Sequence, residues 1–215
     1  MTSMHDARGF TLAELLVSMA VGSLVIGSAM LLTGQLQKSY GAQTDGAAVQ
    51  QEARYAMDWI SRALVSAGSN PMQITVGGCP AAGTAFTAIT RDPNADGVNN
   101  DVRLHADINP PNGLLGGLAG ACTEANEIIT IAHDVAASTI TRRDHSVDVA
   151  AVPMSDAVIT QLTFQYFSAN GAVATANNTV SRVRVTISAQ TPALDVYTGL
   201  PVTFTTSTDV RLRAR

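Results

Sequence analysis

Charge is what this sequence has least of. Only 14% of its 215 residues are Asp, Glu, Lys or Arg, against roughly a quarter in ordinary soluble domains. Lys38 is the one lysine, and the formal net charge is −4. A protein built mainly to coat nucleic acid needs a strong basic excess, so that class is excluded. Aromatic residues are scarce at 5%, which leaves few rings on which bases could stack. The sequence has no G-x-S-x-G, no phosphate-binding glycine loop and no H-E-x-x-H, the patterns that would announce a nucleophile elbow, a nucleotide cradle or a zinc protease. His5, His105, His133 and His145 show no metal-ligand spacing. No enzyme is expected. There is also no internal repeat, so one folded domain with an added element is the expectation at this length.

What is present is a long apolar run. Residues 10–32 read FTLAELLVSMAVGSLVIGSAMLL, with Glu14 as the only charge and no proline. About 20 helical residues cross the ~30 Å hydrocarbon core, so this run is long enough to span a bilayer. A secretory signal peptide has a shorter apolar core, about 7–15 residues, after a basic start. Arg8 and the initial amine precede the run, which favours a cytoplasmic N-terminus although Asp6 dilutes the bias.

Ala53, Ala56, Met57, Ile60, Ala63, Leu64 and Ala67 then recur at three- and four-residue intervals, with Glu52, Arg54, Asp58 and Arg62 on the other faces. This spacing predicts an amphipathic helix ending near Gly68, with Pro71 beyond it as a stop. Gly34, Gly41 and Gly46 lie between the two helical stretches, and each costs about 1 kcal/mol relative to alanine inside a helix. One long helix is expected, loosened or bent around 41–46.

Past Pro71 the pattern alternates and is rich in Val, Ile, Thr and Phe. Strands are expected at 72–76, 84–90, 102–105, 127–132, 139–142, 159–168, 180–189 and 202–212, with Asn170-Gly171 as a turn. The fold class is therefore α+β: a long N-terminal helix, half transmembrane and half amphipathic, packed on a mostly antiparallel sheet. The expected divisions are a leader at 1–9, a transmembrane helix at 10–34, its amphipathic continuation at 35–68 and a globular β-rich domain at 69–215.

The most specific signal is Gly9-Phe10-Thr11-Leu12-Ala13-Glu14-Leu15-Leu16: a short polar leader ending in glycine, then an apolar helix whose fifth residue is glutamate. It resembles the class III signal of type IV prepilins and of type II secretion pseudopilins. The resemblance implies that a prepilin peptidase cuts between Gly9 and Phe10, that the new amine of Phe10 is methylated, and that Glu14 guides assembly. The partners it implies are other pilins and minor pilins, the peptidase and an inner-membrane assembly platform. The location it implies is the bacterial inner membrane, crossed once with the globular domain in the periplasm, and afterwards the pilus at the cell surface.

Physical chemistry supports the same role for Glu14. A carboxylate in the apolar part of a membrane helix costs about 2.5–3.5 kcal/mol on insertion scales, so it needs a partner or a function. A neighbouring subunit's Phe10 amine at matching depth would be such a partner. The alternative is a signal-anchor protein whose Glu14 snorkels to the interface. Gly22, Gly27, Ser18, Ser23 and Ser28 permit close helix packing, though small residues are ordinary in membrane helices.

Beyond the leader, Arg54 and Trp59 near the helix end and the closing Asp209-Val210-Arg211-Leu212-Arg213 resemble the PilW group of minor pilins and the related J-type pseudopilins. That likeness implies a role in priming pilus assembly. A piston-like fibre of type II secretion and a tip-displayed adhesin or DNA-binding module are the rival readings.

Three secondary signals remain. Cys79 and Cys122 fall in loops and would form a disulfide in an oxidising periplasm; two unpaired buried thiols are the alternative. The run Asp92-Pro93-Asn94-Ala95-Asp96-Gly97-Val98-Asn99-Asn100-Asp101 sets oxygen side chains at alternate positions before a glycine, the start of a calcium loop. Arg103 stands where an EF-hand has its bidentate glutamate, so Asn100 or Asp101 would have to substitute. Calcium is thus a candidate ligand of Asp92, Asn94, Asp96, Asn100 and Asp101, no cofactor is otherwise required, and an Asx-rich hairpin turn explains the same residues without metal. Arg182 with Arg184, and Arg211 with Arg213, would each share a strand face. Such pairs serve either as a basic stripe for DNA or as charged protection of a strand edge, and nucleic acid is the less favoured partner.

Overall fold

The computed structural model describes residues 11–75, 79, 86–118, 121–195 and 198–212. Helix α1 runs Leu12–Ser66 and is assigned without a break through Gly34, Gly41 and Gly46. The chain divides into two units, Met1–Thr44 and Asp45–Arg215, whose boundary falls inside α1.

In the first unit the helix buries nothing. Leu12, Leu16, Val17, Leu24, Met30 and Leu31 are all exposed. Ser18, Ser23, Ser28 and Thr33 turn their hydroxyls back onto carbonyls three or four residues earlier, so these polar side chains are satisfied within the helix itself.

In the second unit the helix becomes amphipathic, as its 3.6-residue spacing requires. Val49, Ala53, Ala56, Met57, Ile60 and Leu64 are buried, while Ala63 is half-buried against the same core. The helix stops at Ser66. Two residues on, Gly68 adopts φ +81°, the left-handed conformation that glycine takes at little cost. The Gly68 N–H then donates to His105 O at 2.9 Å and the Asp107 N–H to Ser69 O at 2.8 Å.

Two antiparallel sheets complete this unit. The first has the order β1 Ile89–Arg91, β2 Asp101–His105, β3 Ile128–Asp134, β4 Thr139–Asp144 and β5 Val152–Pro153; the second joins β6 Ile159–Phe167, β7 Arg182–Leu194 and β8 Pro201–Arg211. Alternation places one face of each sheet inward. Val102, Leu104, Ile131 and Ile140 from the first sheet share a core with Leu162, Phe164, Val183, Val185 and Ile187 from the second and with the helix face. A bulge between Ile159 and Gln161 lets Ile159 and Leu162, three residues apart, both point inward, as an extra residue in one strand does.

A smaller cluster of Cys79, Phe86, Leu115 and Ile128 lies beneath the long 106–127 connection. That connection is organised by two buried carboxylates. Glu127 accepts the N–H groups of Ile108, Asn109 and Gly116 at 2.9, 2.9 and 2.7 Å, and Asp107 accepts those of Asn112 and Gly113, both at 3.0 Å. Burial pushes the Glu127 carboxyl above its ordinary range, opposed by these three amide bonds.

The expected strand at 72–76 does not form over 72–75, and Val76 lies outside the described residues. Asn70 holds the Ile74 N–H and C=O with its own amide, and Gln73 sits at φ +54°. This local loop takes the backbone groups a ladder would need. Within 84–90 only Ile89 and Thr90 are in a strand, and 84–85 lie outside the described residues. Asn170-Gly171 does turn the chain, with Gly171 at φ +85° and the Ser168 N–H on Ala172 O at 2.9 Å.

Candidate functional site

Glu14 lies in the first turn of α1 and closes a reciprocal cap with Thr11. The Thr11 backbone N–H and hydroxyl both donate to Glu14 Oε2, each at 3.0 Å, and the Glu14 N–H donates to Thr11 Oγ1 at 3.2 Å. This is a capping box, in which side chains at the N-cap and the third helical position satisfy each other's orphan amides. Thr11 is therefore a site residue that the leader pattern alone missed. Its signal was present as Thr-x-x-Glu ahead of an apolar run.

From Leu12 onward the helix is long and apolar enough to cross a membrane, and none of that stretch is buried. Among the described residues, and apart from the helix's own neighbouring backbone, nothing lies within 4 Å of where a Cβ would stand at Gly22, Gly27, Gly34, Gly41 or Gly46. Gly9 and Phe10 lie outside the described residues.

The prokaryotic N-terminal methylation motif matches residues 4–30. The chain carries a type IV pilin-like leader. That match covers Gly9, Phe10 and Glu14 together with most of the apolar run, and stops short of the β-rich unit. No curated protein matches the chain, and no solved structure does. The leader motif and the apolar helix fit a membrane-anchored, single-pass protein, with pilin-type partners and processing by a prepilin peptidase in general terms.

The other sequence-derived residues sit in the β-rich unit. Cys79 and Cys122 are joined by a disulfide, with Cα atoms 5.6 Å apart. Close by, Cys79 Cβ and Ile128 Cδ1 each lie 2.9 Å from the position a Cβ would take at Gly116.

Asp92, Asn94, Asp96, Asn100 and Asp101 fall in and beside the turn that joins β1 to β2. Asp92 accepts the Asp96 and Gly97 N–H groups at 3.1 and 2.9 Å, and Asp96 accepts that of Val98 at 2.7 Å. Asp101 is buried, and its Oδ1 has no hydrogen-bond partner. Burial first, and the negative charge of Asp92 second, push its carboxyl up to about 6. Among the described residues no three His, Cys, Asp or Glu side chains are grouped tightly enough to hold a metal by themselves. Arg103 turns away from the loop, with its Nε–H on Thr130 Oγ1 at 3.2 Å.

Arg182 and Arg184 share a face, as alternation requires, and both engage Asp209 on β8 at 3.1 and 2.7 Å. Arg182 also lies over the Phe167 ring, 4.5 Å from its centre. Their charge is thus spent largely on a neighbouring strand; β7 is the middle strand of its sheet, so this pair guards no strand edge. Arg211 stands opposite Arg182 in the ladder, and Arg213 lies outside the described residues.

Proposed function

We propose that this chain is a minor type IV pilin: a structural subunit, released from its leader by cleavage between Gly9 and Phe10 and methylated at Phe10, that primes or joins a helical fibre. The single observation that carries this reading is the methylation motif over residues 4–30, set on a helix whose apolar stretch is not buried among the described residues. A surface so apolar requires lipid or other apolar helices. In the membrane it has the first; in a fibre the helices of neighbouring subunits supply the second.

Glu14 is the assembly residue. Thr11 engages one carboxylate oxygen, and a carboxylate has acceptor capacity for further donors. The methylated amine of another subunit's Phe10 is the proposed donor, at a depth where exclusion of water strengthens the attraction. The five glycines between 22 and 46 serve close packing between subunits, since no neighbour among the described residues needs them. The likeness of Arg54, Trp59 and the closing Asp209–Arg213 to PilW-type minor pilins supports this reading. Trp59 packs against the core and Asp209 binds two arginines.

Mass spectrometry of the chain from cells with an active peptidase should find it beginning at methylated Phe10. A full-length species beginning at Met1 would sink the proposal. Deletion followed by electron microscopy, with secretion assayed in parallel, separates a pilus subunit from a secretion pseudopilin: fibres are lost in the first case and secretion in the second.

A further inference from the structure

We propose that the loop between β1 and β2 binds one hard divalent cation of the calcium class, held by oxygens of Asp92, Asp96 and Asp101 with Asn94 and Asn100 beside them.

The decisive residue is Asp101. It is only 2% exposed, and a buried carboxylate oxygen without a donor is costly. Its Oδ1 is such an atom. The side chain points into the loop, since the Asn94 backbone N–H is turned toward its carboxylate and the charges of Asp92 and Asp96 bear on it. Asn100 Oδ1, at the same junction, is a second buried acceptor without a partner.

The surrounding donors are committed elsewhere. The Asp96, Gly97 and Val98 amides already serve Asp92, Asn94 and Asp96. Arg91, next in sequence to Asp92, spends its guanidinium on Ala174 O, Thr175 O and Asn177 Oδ1. The Tyr166 hydroxyl reaches the backbone carbonyl of Asp101, not its carboxylate. Asn94 Nδ2 is likewise spent on Asp96 Oδ2 at 3.0 Å. What remains unpartnered is Asp101 Oδ1 with Asn100 Oδ1, beside two further carboxylates, and a cation satisfies these atoms better than any donor left in the neighbourhood.

The chemistry selects the class of cation. Every candidate atom is an oxygen, which suits a hard ion and not zinc or copper. The carboxylates are not drawn into a tight cluster of three, so coordination must extend to amide and backbone oxygens. Calcium accepts six to eight such ligands in flexible geometry, whereas magnesium demands a compact octahedron. The base of the loop is held firmly: Asn99 O accepts the Phe164 N–H at 2.8 Å and Asn100 O accepts the His133 N–H at 3.1 Å. Bound cation would therefore brace β1 and β2 against β3 and β6.

The test uses the full chain in detergent, stripped with EDTA and titrated with calcium chloride. Native mass spectrometry should show one retained calcium per chain, with an affinity on the order of 10⁻⁴ to 10⁻³ M as in extracellular calcium modules. Saturation should raise Tm by roughly 5–10 °C at a hundredfold excess over Kd. The exposed, isosteric Asp96→Asn should weaken binding at least tenfold while leaving the calcium-free melt unchanged, and Asp101→Asn should abolish binding. Retention of no calcium, equal affinity in Asp96→Asn, or an equal response to magnesium chloride would each overturn the proposal.

Discussion

Thr11 and Glu14 cap the same helix end reciprocally, the hydroxyl of one and the carboxylate of the other each satisfying a backbone amide of its partner. The glutamate is consequently held in a defined rotamer before any second subunit arrives. Its roles in capping and in assembly are separable by substitution. Glu14→Gln keeps an acceptor for the Thr11 amide but removes the charge, so on the proposed mechanism the chain still inserts in the membrane and fails to enter fibres. Thr11→Ala removes the cap, worth about 1 kcal/mol, and should lower incorporation only in part. Immunoblots of sheared fibres against membrane fractions check both. Normal entry of the glutamine variant would show that charge pairing at Glu14 is unnecessary.

The two halves of α1 should respond differently to truncation of an apolar side chain. Ile60 is fully buried in the main core, and Ile60→Ala should cost about 2–5 kcal/mol. Leu24 is 75% exposed, and Leu24→Ala should leave the melting of the β-rich unit unchanged. Thermal melts of the two variants in detergent give the comparison.

The Cys79–Cys122 bridge closes a span of 43 residues. In the chain-entropy account such a loop is worth about 4 kcal/mol, so reduction or Cys122→Ser should lower Tm by on the order of 10 °C. The loss should centre on the cluster of Phe86, Leu115 and Ile128, detectable as faster amide exchange in 106–127.

A histidine pair makes the fold sensitive to acid. Arg103 Nε–H donates to Thr130 Oγ1 at 3.2 Å, and His145 Nε2 lies 2.9 Å from the same hydroxyl. Burial, with Arg103, Arg143 and His105 nearby and only Asp144 opposing, lowers the His145 pKa from 6.5 to about 4. Burial also lowers that of His105. Between pH 6.5 and about 4 the unfolded chain binds more protons than the native one, so stability present above pH 6.5 is lost as pH falls through this window. Asp101 and Glu127, whose carboxyls burial raises, contribute in the opposite direction. The His145 contribution is read by difference: from pH 7 to pH 5 the Tm of the native sequence should fall relative to that of His145→Gln. Equal slopes would exclude His145 as the source.

The helix was the most legible part of the sequence because its two solvents, lipid and protein core, leave different spacings behind. The antiparallel strands at 102–105, 139–142 and 182–189 were legible from Val/Ile/Thr alternation for the same reason. Residues 72–75 were misread as strand because Ile74 and Thr75 satisfy propensity while Asn70 captures the backbone of Ile74. Strand β5, two residues long and exposed, has no apolar face to mark it. Nor did any pattern betray Asp107 and Glu127 as loop organisers, because their partners are backbone amides, which carry no signature in sequence. At the candidate site the glycine, phenylalanine and glutamate fall within the matched leader motif, whereas the threonine that caps with the glutamate was overlooked.

The residues that follow α1 are stitched to the end of β2 and the residues just past it by two backbone bonds, Gly68 to His105 and Asp107 to Ser69. β2 is an interior strand, flanked by β1 and β3. Tension arriving along the helix would thus be delivered to the middle of a sheet, where two neighbouring ladders share the load, instead of peeling a free edge.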